Sequence, residues 1–277
     1  MEVSAIDVYV RLLQDCHGGL LSHGDSILGQ PSERSYSATP FDMILIHEQY
    51  SVSDPARNAE LVRVRELNRE AGVFEGIEPV TDGGRHTFAD LFALAAERFA
   101  GAVCVVANSD IAFDGSLRAA AEMLLGCDRP ALVALTRWDD AAGPSMEGRV
   151  DSATWRFYSH SQDAWLFVAG SLPPFEAAFT LGIPACENRM TYEAVAAGVV
   201  VINPALSVRI WHHHASAVRS WKPEDAYRGP FYFPRLTTLE GADSEGFVLD
   251  RTGWRTRKEI VRTAAAWRAR PALGQEN

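Results

Sequence analysis

Short apolar runs alternate with amphipathic helical patterns from about residue 40 onward. Apolar residues at helical spacing predict helices over 56–71, 88–99, 116–125 and 187–197. Thr87 is the expected N-cap of the second helix, with Asp90 in its first turn. The runs that are apolar or alternating predict strands at Met43–His47, Ala102–Ala107, Ala131–Leu135, Trp155–Tyr158, Trp165–Val168 and Val199–Ile202. Because strands and helices alternate, we predict an α/β protein with a mostly parallel central sheet and helices on both faces.

The same pattern divides the chain into three parts. Residues 1–40 are rich in Gly, Ser and Pro, which predicts an N-terminal extension packed on the body. Residues 41–216 form the α/β core. Residues 217–277 contain the apolar segment Gly229–Pro234, expected to form a wall or lid, and an amphipathic helix between Ile260 and Trp267. We expect this helix to pack against the body, with contact in a homodimer or with a membrane surface as the alternatives.

Composition narrows the function classes. The 277 residues include 26 basic and 36 acidic side chains, and the net charge of −10 disfavours nucleic-acid and anionic-membrane partners. The four cysteines are far apart and are expected to be reduced thiols. No run approaches the roughly 20 apolar residues of a membrane span. Acidic residues near the N-terminus are unlike a signal peptide, so we expect a cytoplasmic protein.

Several familiar catalytic motifs are missing. The sequence has no GxxxxGK[ST] loop, no GxGxxG after a strand and no GxSxG elbow. A P-loop enzyme, a dinucleotide dehydrogenase and an α/β-hydrolase are therefore disfavoured.

Polar residues follow the strand Ala102–Ala107 directly. Asn108 and Asp110 lie two residues apart, on the same side of an extended backbone. In parallel sheets, ligands bind beyond the carboxyl ends of the strands. A carboxylate there can bind a divalent cation, and the neighbouring amide can contact a nucleotide ribose. A simple turn is the alternative, because Asn, Ser and Asp are common turn residues.

Two more segments carry candidate chemistry. His212 and His214 share one face of a strand-like segment and His213 points the other way, so at least one imidazole is a candidate metal ligand. Glu187 opens a predicted helix that ends at Gly198. A carboxylate at a helix start is stabilised by the helix dipole, which is the structural alternative to a catalytic base.

The order of these features resembles the GT-A glycosyltransferases, in particular the large inverting family of cellulose- and chitin-type synthases. The likeness covers roughly residues 41–216. It rests on Asn-Ser-Asp after a central strand, an acid at a helix start, Ala-Ala-Gly before the strand Val199–Ile202, and the His cluster. Two departures stand out, since Asn108 and Asn188 occupy positions where the family has an acid.

The resemblance implies a metal-dependent transfer of sugar from a nucleotide-diphosphate sugar to a carbohydrate or other hydroxyl acceptor. Asp110, with His212 or His214, would hold Mn²⁺ or Mg²⁺ against the donor diphosphate. The family also implies a GT-A-like sheet with a small antiparallel part near the acceptor side. Donor contacts are expected from Asn108, from the segment His47-Glu48-Gln49-Tyr50 and from Arg85.

An inverting transfer needs a carboxylate that accepts the proton of the acceptor hydroxyl. Glu187 is the first candidate and Asp163, before a predicted strand, is the second, each with a structural role as the alternative. Because Asn188 replaces the family's usual base, inversion and retention both stay open. One of Trp138, Trp165 and Trp211 is expected to stack on the substrate.

Two other functions remain as alternatives. A nucleotidyltransferase that makes sugar nucleotides would have a Gly-rich loop and a Lys where this chain has His47-Glu48-Gln49-Tyr50. A non-catalytic module that binds a sugar nucleotide or a carbohydrate would keep the pocket without turnover.

Overall fold

The computed structural model describes residues 42–81, 83–140, 143–144, 161–216, 218, 221–242, 246–250 and 253–256. The predicted extension over 1–40, the strand Trp155–Tyr158 and the amphipathic helix between Ile260 and Trp267 lie outside these residues. Its helices are α1 (Pro55–Glu70), α2 (Phe88–Arg98), α3 (Leu117–Leu125) and α4 (Cys186–Ala196). Its strands are β1 (Met43–Glu48), β2 (Gly76–Val80), β3 (Val103–Ala107), β4 (Ile111–Phe113), β5 (Ala131–Leu135), β6 (Trp138–Asp140), β7 (Gly143–Pro144), β8 (Ala164–Val168), β9 (Val200–Ile202), β10 (Ile210–His212), β11 (Phe231–Pro234), β12 (Gly246–Asp250) and β13 (Gly253–Thr256).

The central sheet has six strands in the order β2-β1-β3-β8-β5-β9. The pairs β1/β2, β1/β3 and β5/β9 are parallel, whereas β8 runs antiparallel to both of its neighbours. The α/β class and the mostly parallel sheet are therefore as predicted. Because β8 is reversed, its first residue lies at the edge where β3 and β5 end.

Both faces of this sheet are buried. In β1, Met43 and Leu45 pack into one hydrophobic cluster with α3, while Ile44 and Ile46 pack into another with α2 and α4. This burial on both sides explains why β1 is apolar at every position up to His47. Four helices flank the sheet, and in the described residues no helix is long and apolar enough to cross a lipid bilayer.

Two smaller sheets adjoin the central one. The first has the order β4-β10-β6-β7, and its β10 is antiparallel to β4. The second, β11-β12-β13, is an antiparallel meander. Phe231 and Phe233 of β11 are buried beside Ala185 and Leu249, so the apolar segment Gly229–Pro234 packs against the start of α4.

Thr87 and Asp90 form the capping interaction that the sequence predicts for α2. The Thr87 hydroxyl accepts from the Asp90 N–H at 3.2 Å, and the Asp90 carboxylate accepts from the Thr87 N–H at 2.8 Å. Two backbone N–H groups that the helix cannot satisfy are thus paired.

Replacing Thr87 with Ala should lower the free energy of unfolding by about 1 kcal/mol, because one backbone donor loses its acceptor. Urea unfolding measures this change. The Asp90→Ala variant should cost a similar amount, and the double variant should cost less than the sum of the two. Strict additivity would mean that the two side chains do not act as one cap.

Candidate metal centre and its neighbourhood

Strand pairing brings Asp110 and the His cluster together. Asp110 lies between β3 and β4, and β10 pairs with β4 so that His212 is opposite Ile111. The His213 N–H then donates to the Asp110 carbonyl at 2.9 Å. Two segments about a hundred residues apart in sequence therefore meet at the carboxyl edge of the central sheet.

One oxygen of Asp110 is the centre of this group. Asp110 Oδ2 lies 3.1 Å from His214 Nδ1 and 3.5 Å from His212 Nε2. Asp110, His212 and His214 each offer one ligand atom, and these three atoms lie within 4.8 Å of one another. His213 is not part of this group and contributes its backbone N–H instead.

Each imidazole also has a partner on its far side. His212 Nδ1 lies 3.1 Å from Asp139 Oδ1, and His214 Nε2 lies 3.0 Å from the Val218 carbonyl. In metal sites, a ligating His commonly donates its other ring N–H to a carboxylate or a carbonyl, which fixes the tautomer. Without a metal ion the inner nitrogens can donate to Asp110; with one bound, this tautomer would direct a nitrogen lone pair of each ring towards the ion.

Helix α1 supplies the counter-charge for Asp110. Arg57 Nη2 donates to Asp110 Oδ2 at 2.6 Å, and its Nη1 donates to Glu60 at 2.9 Å. Glu60 in turn accepts from the backbone N–H groups of Ala215 and Ser216 at 3.0 and 2.8 Å. The first turns of α1 thus hold both the carboxylate and the segment that follows His214.

The local field favours positive charge. Burial opposes ionisation of Asp110, but hydrogen bonds from His212 and His214 and the charge of Arg57 outweigh it and hold the pKa of Asp110 well below its usual value. Burial also opposes the charge on His212, yet its bonds to Asp110 and Asp139 raise the pKa of His212 to about 9.

The donor set fits a divalent cation. Ligand atoms about 2.0–2.2 Å from one metal ion lie at most about 4.4 Å apart. Asp110 Oδ2 meets this limit with both imidazole nitrogens, and all three ligand atoms lie within 4.8 Å of one another. Among the described residues, Asp110 Oδ1 accepts no hydrogen bond, so one oxygen is available besides the one that Arg57 binds. Two imidazoles with one carboxylate suit transition-metal ions that bind imidazole better than they suit Mg²⁺, which prefers oxygen.

Asp163, one of the predicted catalytic residues, lies next to Asn108. Because β8 is antiparallel to β3, the start of β8 adjoins the end of β3, and Asn108 Nδ2 donates to Asp163 Oδ1 at 2.9 Å. Ser161 Oγ donates to the other oxygen of Asp163, and Arg137 Nη1 lies 3.4 Å from Oδ1. Asp163 is thus buried and held by three donors.

Glu187, the other predicted catalytic residue, lies in the first turn of α4. Burial and the nearby charge of Asp163 together raise the pKa of Glu187 to about 8, against the opposing effects of its own backbone N–H, the Cys186 thiol and Arg137. A carboxyl group with this pKa exchanges its proton near neutral pH, as a general acid or base must.

The donor-binding residues predicted after β1 fall into two groups. Glu48 is buried and accepts from the His86 backbone N–H at 2.6 Å, and burial raises the pKa of Glu48. The Tyr50 ring is 41% exposed, and Asp110, Arg57 and Arg85 all act electrostatically on its hydroxyl. Glu48, Tyr50 and the exposed Arg85 are therefore neighbours of the metal centre.

His47 and Gln49 instead line a separate cavity together with Arg65 and Arg69 of α1, and no member of the Asp110 group lines it.

The three candidate tryptophans have structural contacts. Trp165 is fully buried against Phe88 and cannot reach a ligand. Trp138 and Trp211 both flank Arg209, and their indole N–H groups donate to Ala205 and Asp114.

Sequence reasoning missed Arg57 and Asp139, which orient the centre. Arg57 continues the buried stripe of α1, whose members are Arg57, Leu61, Val64 and Asn68. A charged residue at the end of an apolar stripe is a signal for a buried ion pair, although it does not identify the partner. No sequence feature indicates Asp139, because its contact with His212 depends on the position of β6 beside β10.

No protein-family model and no curated protein matches this chain. The class that its fold and site define is an α/β protein with a mixed six-stranded sheet and a candidate Asp-His-His metal centre at the carboxyl edge.

Removing either imidazole should weaken metal binding. We expect His212→Gln and His214→Gln each to raise the Kd for Mn²⁺ at least about tenfold, because each deletes one ligand of three. Titration followed by the electron paramagnetic resonance of free Mn²⁺ measures this. His213→Gln is the matched control and should bind Mn²⁺ as the unmodified protein does. Equal effects at all three positions would contradict the proposed ligand set.

Glu187 should make stability fall as pH rises. Below its unfolded-state value near 4.5 the carboxyl is protonated in both states; as pH rises towards its folded pKa of about 8, only the unfolded state ionises. Glu187→Gln removes this dependence and should gain about 3–5 kcal/mol relative to the unmodified protein between pH 4.5 and pH 9. Urea unfolding at several pH values measures it, with Glu193→Gln on the same helix as control.

Proposed function

We propose that this chain is a divalent-metal-dependent glycosyltransferase of the GT-A type, which moves a sugar from a nucleotide-diphosphate sugar to an acceptor hydroxyl. The observation that carries the proposal is the meeting of Asp110, His212 and His214 at the carboxyl edge of the sheet. Asp163 and Glu187 continue along the same edge, so metal ligands and candidate bases face a common region.

The donor would bind beside the metal centre. Arg85 supplies positive charge near Tyr50, a residue that is 41% exposed and offers a surface for stacking. Guanidinium groups bind phosphate oxygens through charged hydrogen bonds. Asn108 presents an amide at the end of β3, where the proposal places the ribose. A divalent cation held by the Asp110 group would offset the negative charge that develops on the leaving diphosphate.

Glu187 is the better base of the two carboxylates. Asp163 already accepts from Asn108, Ser161 and Arg137, so its lone pairs are largely engaged. Glu187 accepts from the Cys186 thiol at 3.4 Å and from its own backbone N–H, and burial raises the pKa of Glu187 to about 8. In the proposed reaction a Glu187 oxygen accepts the proton of the acceptor hydroxyl, while Asp163 raises the basicity of Glu187 through its charge.

A thermal-shift panel of sugar nucleotides with and without Mn²⁺ tests the proposal. One diphosphate sugar should raise Tm by about 5 °C when Mn²⁺ is present, because a ligand at 100 times its Kd adds about 2.7 kcal/mol. The His212→Gln and His214→Gln variants should lose the Mn²⁺-dependent part, and His213→Gln should retain it. If no sugar nucleotide shifts Tm under any condition, the proposal is wrong.

Turnover of the stabilising donor then separates an enzyme from a binding module. Glu187→Gln should lower kcat by about 10²–10⁴ without weakening donor binding, because general-base catalysis contributes a factor of that size. In the unmodified protein, kcat/KM should rise with pH through about 8, the pKa of Glu187. Glu193→Gln is the control on the same helix. Donor binding with no turnover would favour the binding module, and release of pyrophosphate from a nucleoside triphosphate and a sugar phosphate would favour a nucleotidyltransferase.

A further inference from the structure

A second polar cavity lies between α1 and the strands β1 and β2. It has a volume of about 80 Å³, and its polar lining consists of His47, Gln49, Arg65, Asn68 and Arg69. The Asp110 group is not part of its wall. Sites that enclose a drug-sized ligand measure about 300–1,000 Å³, so this cavity fits one small group rather than a nucleotide.

Neither of the two arginines of this cavity forms an ion pair with a described residue. Arg65 and Arg69 are four positions apart on α1, which places them side by side on the helix surface. The neighbouring Arg63 shows the usual alternative, since it pairs with Glu66 and Glu70 at 3.4 and 3.5 Å. Burial and the charge of Arg69 lower the pKa of Arg65, against the opposing charge of Glu66. Two cations therefore face one opening and repel each other.

His47 adds a buried polar group to the same wall. His47 is 5% exposed, and its imidazole makes no hydrogen bond with any described residue. Burial and the charges of Arg65 and Arg69 lower the pKa of His47 to about 4. The imidazole is neutral at pH 7, so one of its nitrogens offers an N–H donor.

Asn68 fixes the position of the helix at this cavity. Its Nδ2 donates to the Ile111 carbonyl at 2.9 Å, and its Oδ1 accepts from the Phe113 N–H at 3.0 Å. Both ends of the amide are thus used to hold α1 against β4. The arginines on either side of Asn68 are consequently presented from a fixed helix rather than from a loop.

We infer that this cavity binds a phosphate group, either as inorganic phosphate or as the terminal phosphate of a small metabolite. Two unpaired guanidinium groups match the charge of a phosphate dianion and supply several donors in a fixed geometry. The buried His47 N–H is a further donor beside the two guanidinium groups, and no acidic side chain lines the cavity. The site goes beyond the proposed glycosyltransferase function, because it requires neither the metal ion nor a nucleotide.

Calorimetric titration with inorganic phosphate, without metal and at constant ionic strength, tests the inference. We expect saturable binding of one phosphate per chain. Arg65→Gln and Arg69→Gln should each raise the Kd about tenfold or more, since each removes charged hydrogen bonds. Arg63→Gln, with the same change in charge on the same helix, should leave the Kd within about twofold.

Thermal unfolding supplies a second test, because Arg69→Gln should change Tm in opposite senses without and with phosphate. Without phosphate, Arg69→Gln should raise Tm slightly, because it relieves the repulsion between the two arginines. The same variant should lose the increase in Tm that phosphate gives the unmodified protein. Arg69 is exposed, so this variant is expected to fold.

Several outcomes would overturn the inference. These are absence of saturable phosphate binding, an equal loss in Arg63→Gln, or equally tight binding of acetate, which would indicate a carboxylate site. Glycerol 3-phosphate distinguishes inorganic phosphate from a phosphorylated metabolite as the ligand. A site for the free ion excludes this ester, and a site for a metabolite binds it. The outcome is separable from that of the sugar-nucleotide panel, because phosphate is titrated without Mn²⁺ or nucleotide.

Discussion

The buried carboxylate of Asp110 is the constraint on which the site depends. An ionised group taken out of water must be compensated by charge and hydrogen bonds. Arg57 from α1 and two imidazoles from the end of β10 supply that compensation. Three separate parts of the chain are therefore held at one point, and loss of Asp110 would leave the buried Arg57 with Glu60 as its remaining ion-pair partner. Asp110 thus combines a structural role with that of a candidate metal ligand.

The reversed strand β8 extends this centre into a longer site. A fully parallel sheet would place the start of that strand at the opposite edge, far from the end of β3. Because β8 is antiparallel, Asp163 instead meets Asn108, and its charge reaches Glu187 at the start of α4. A single change of strand direction thus gathers the candidate metal ligands and the candidate bases along one edge.

The sequence predicts individual strands, helices and caps, but it does not predict contacts that depend on which strands pair. The strand Val103–Ala107 and the cap of α2 by Thr87 follow from hydrophobic pattern and side-chain chemistry, and both predictions are confirmed. The shared face of His212 and His214 follows from the period of a strand. Short strands such as β4 and β10 have too few residues for a periodic signal, so their pairing could not be predicted. The contact of His212 with Asp139 depends on that pairing, and sequence reasoning therefore missed it.

Helix α1 shows why a charged residue must be judged by its partners rather than by its type. Arg57 is buried and bonded to Glu60 and Asp110, so its charge is already balanced within the protein. Arg65 and Arg69, two and three turns further along, line a cavity whose wall contains no acidic side chain among the described residues. Two like charges four residues apart on a helix repel each other, and a bound anion would offset that repulsion. Arg57 therefore organises the metal centre from within the fold, whereas the later arginines provide binding capacity for a ligand.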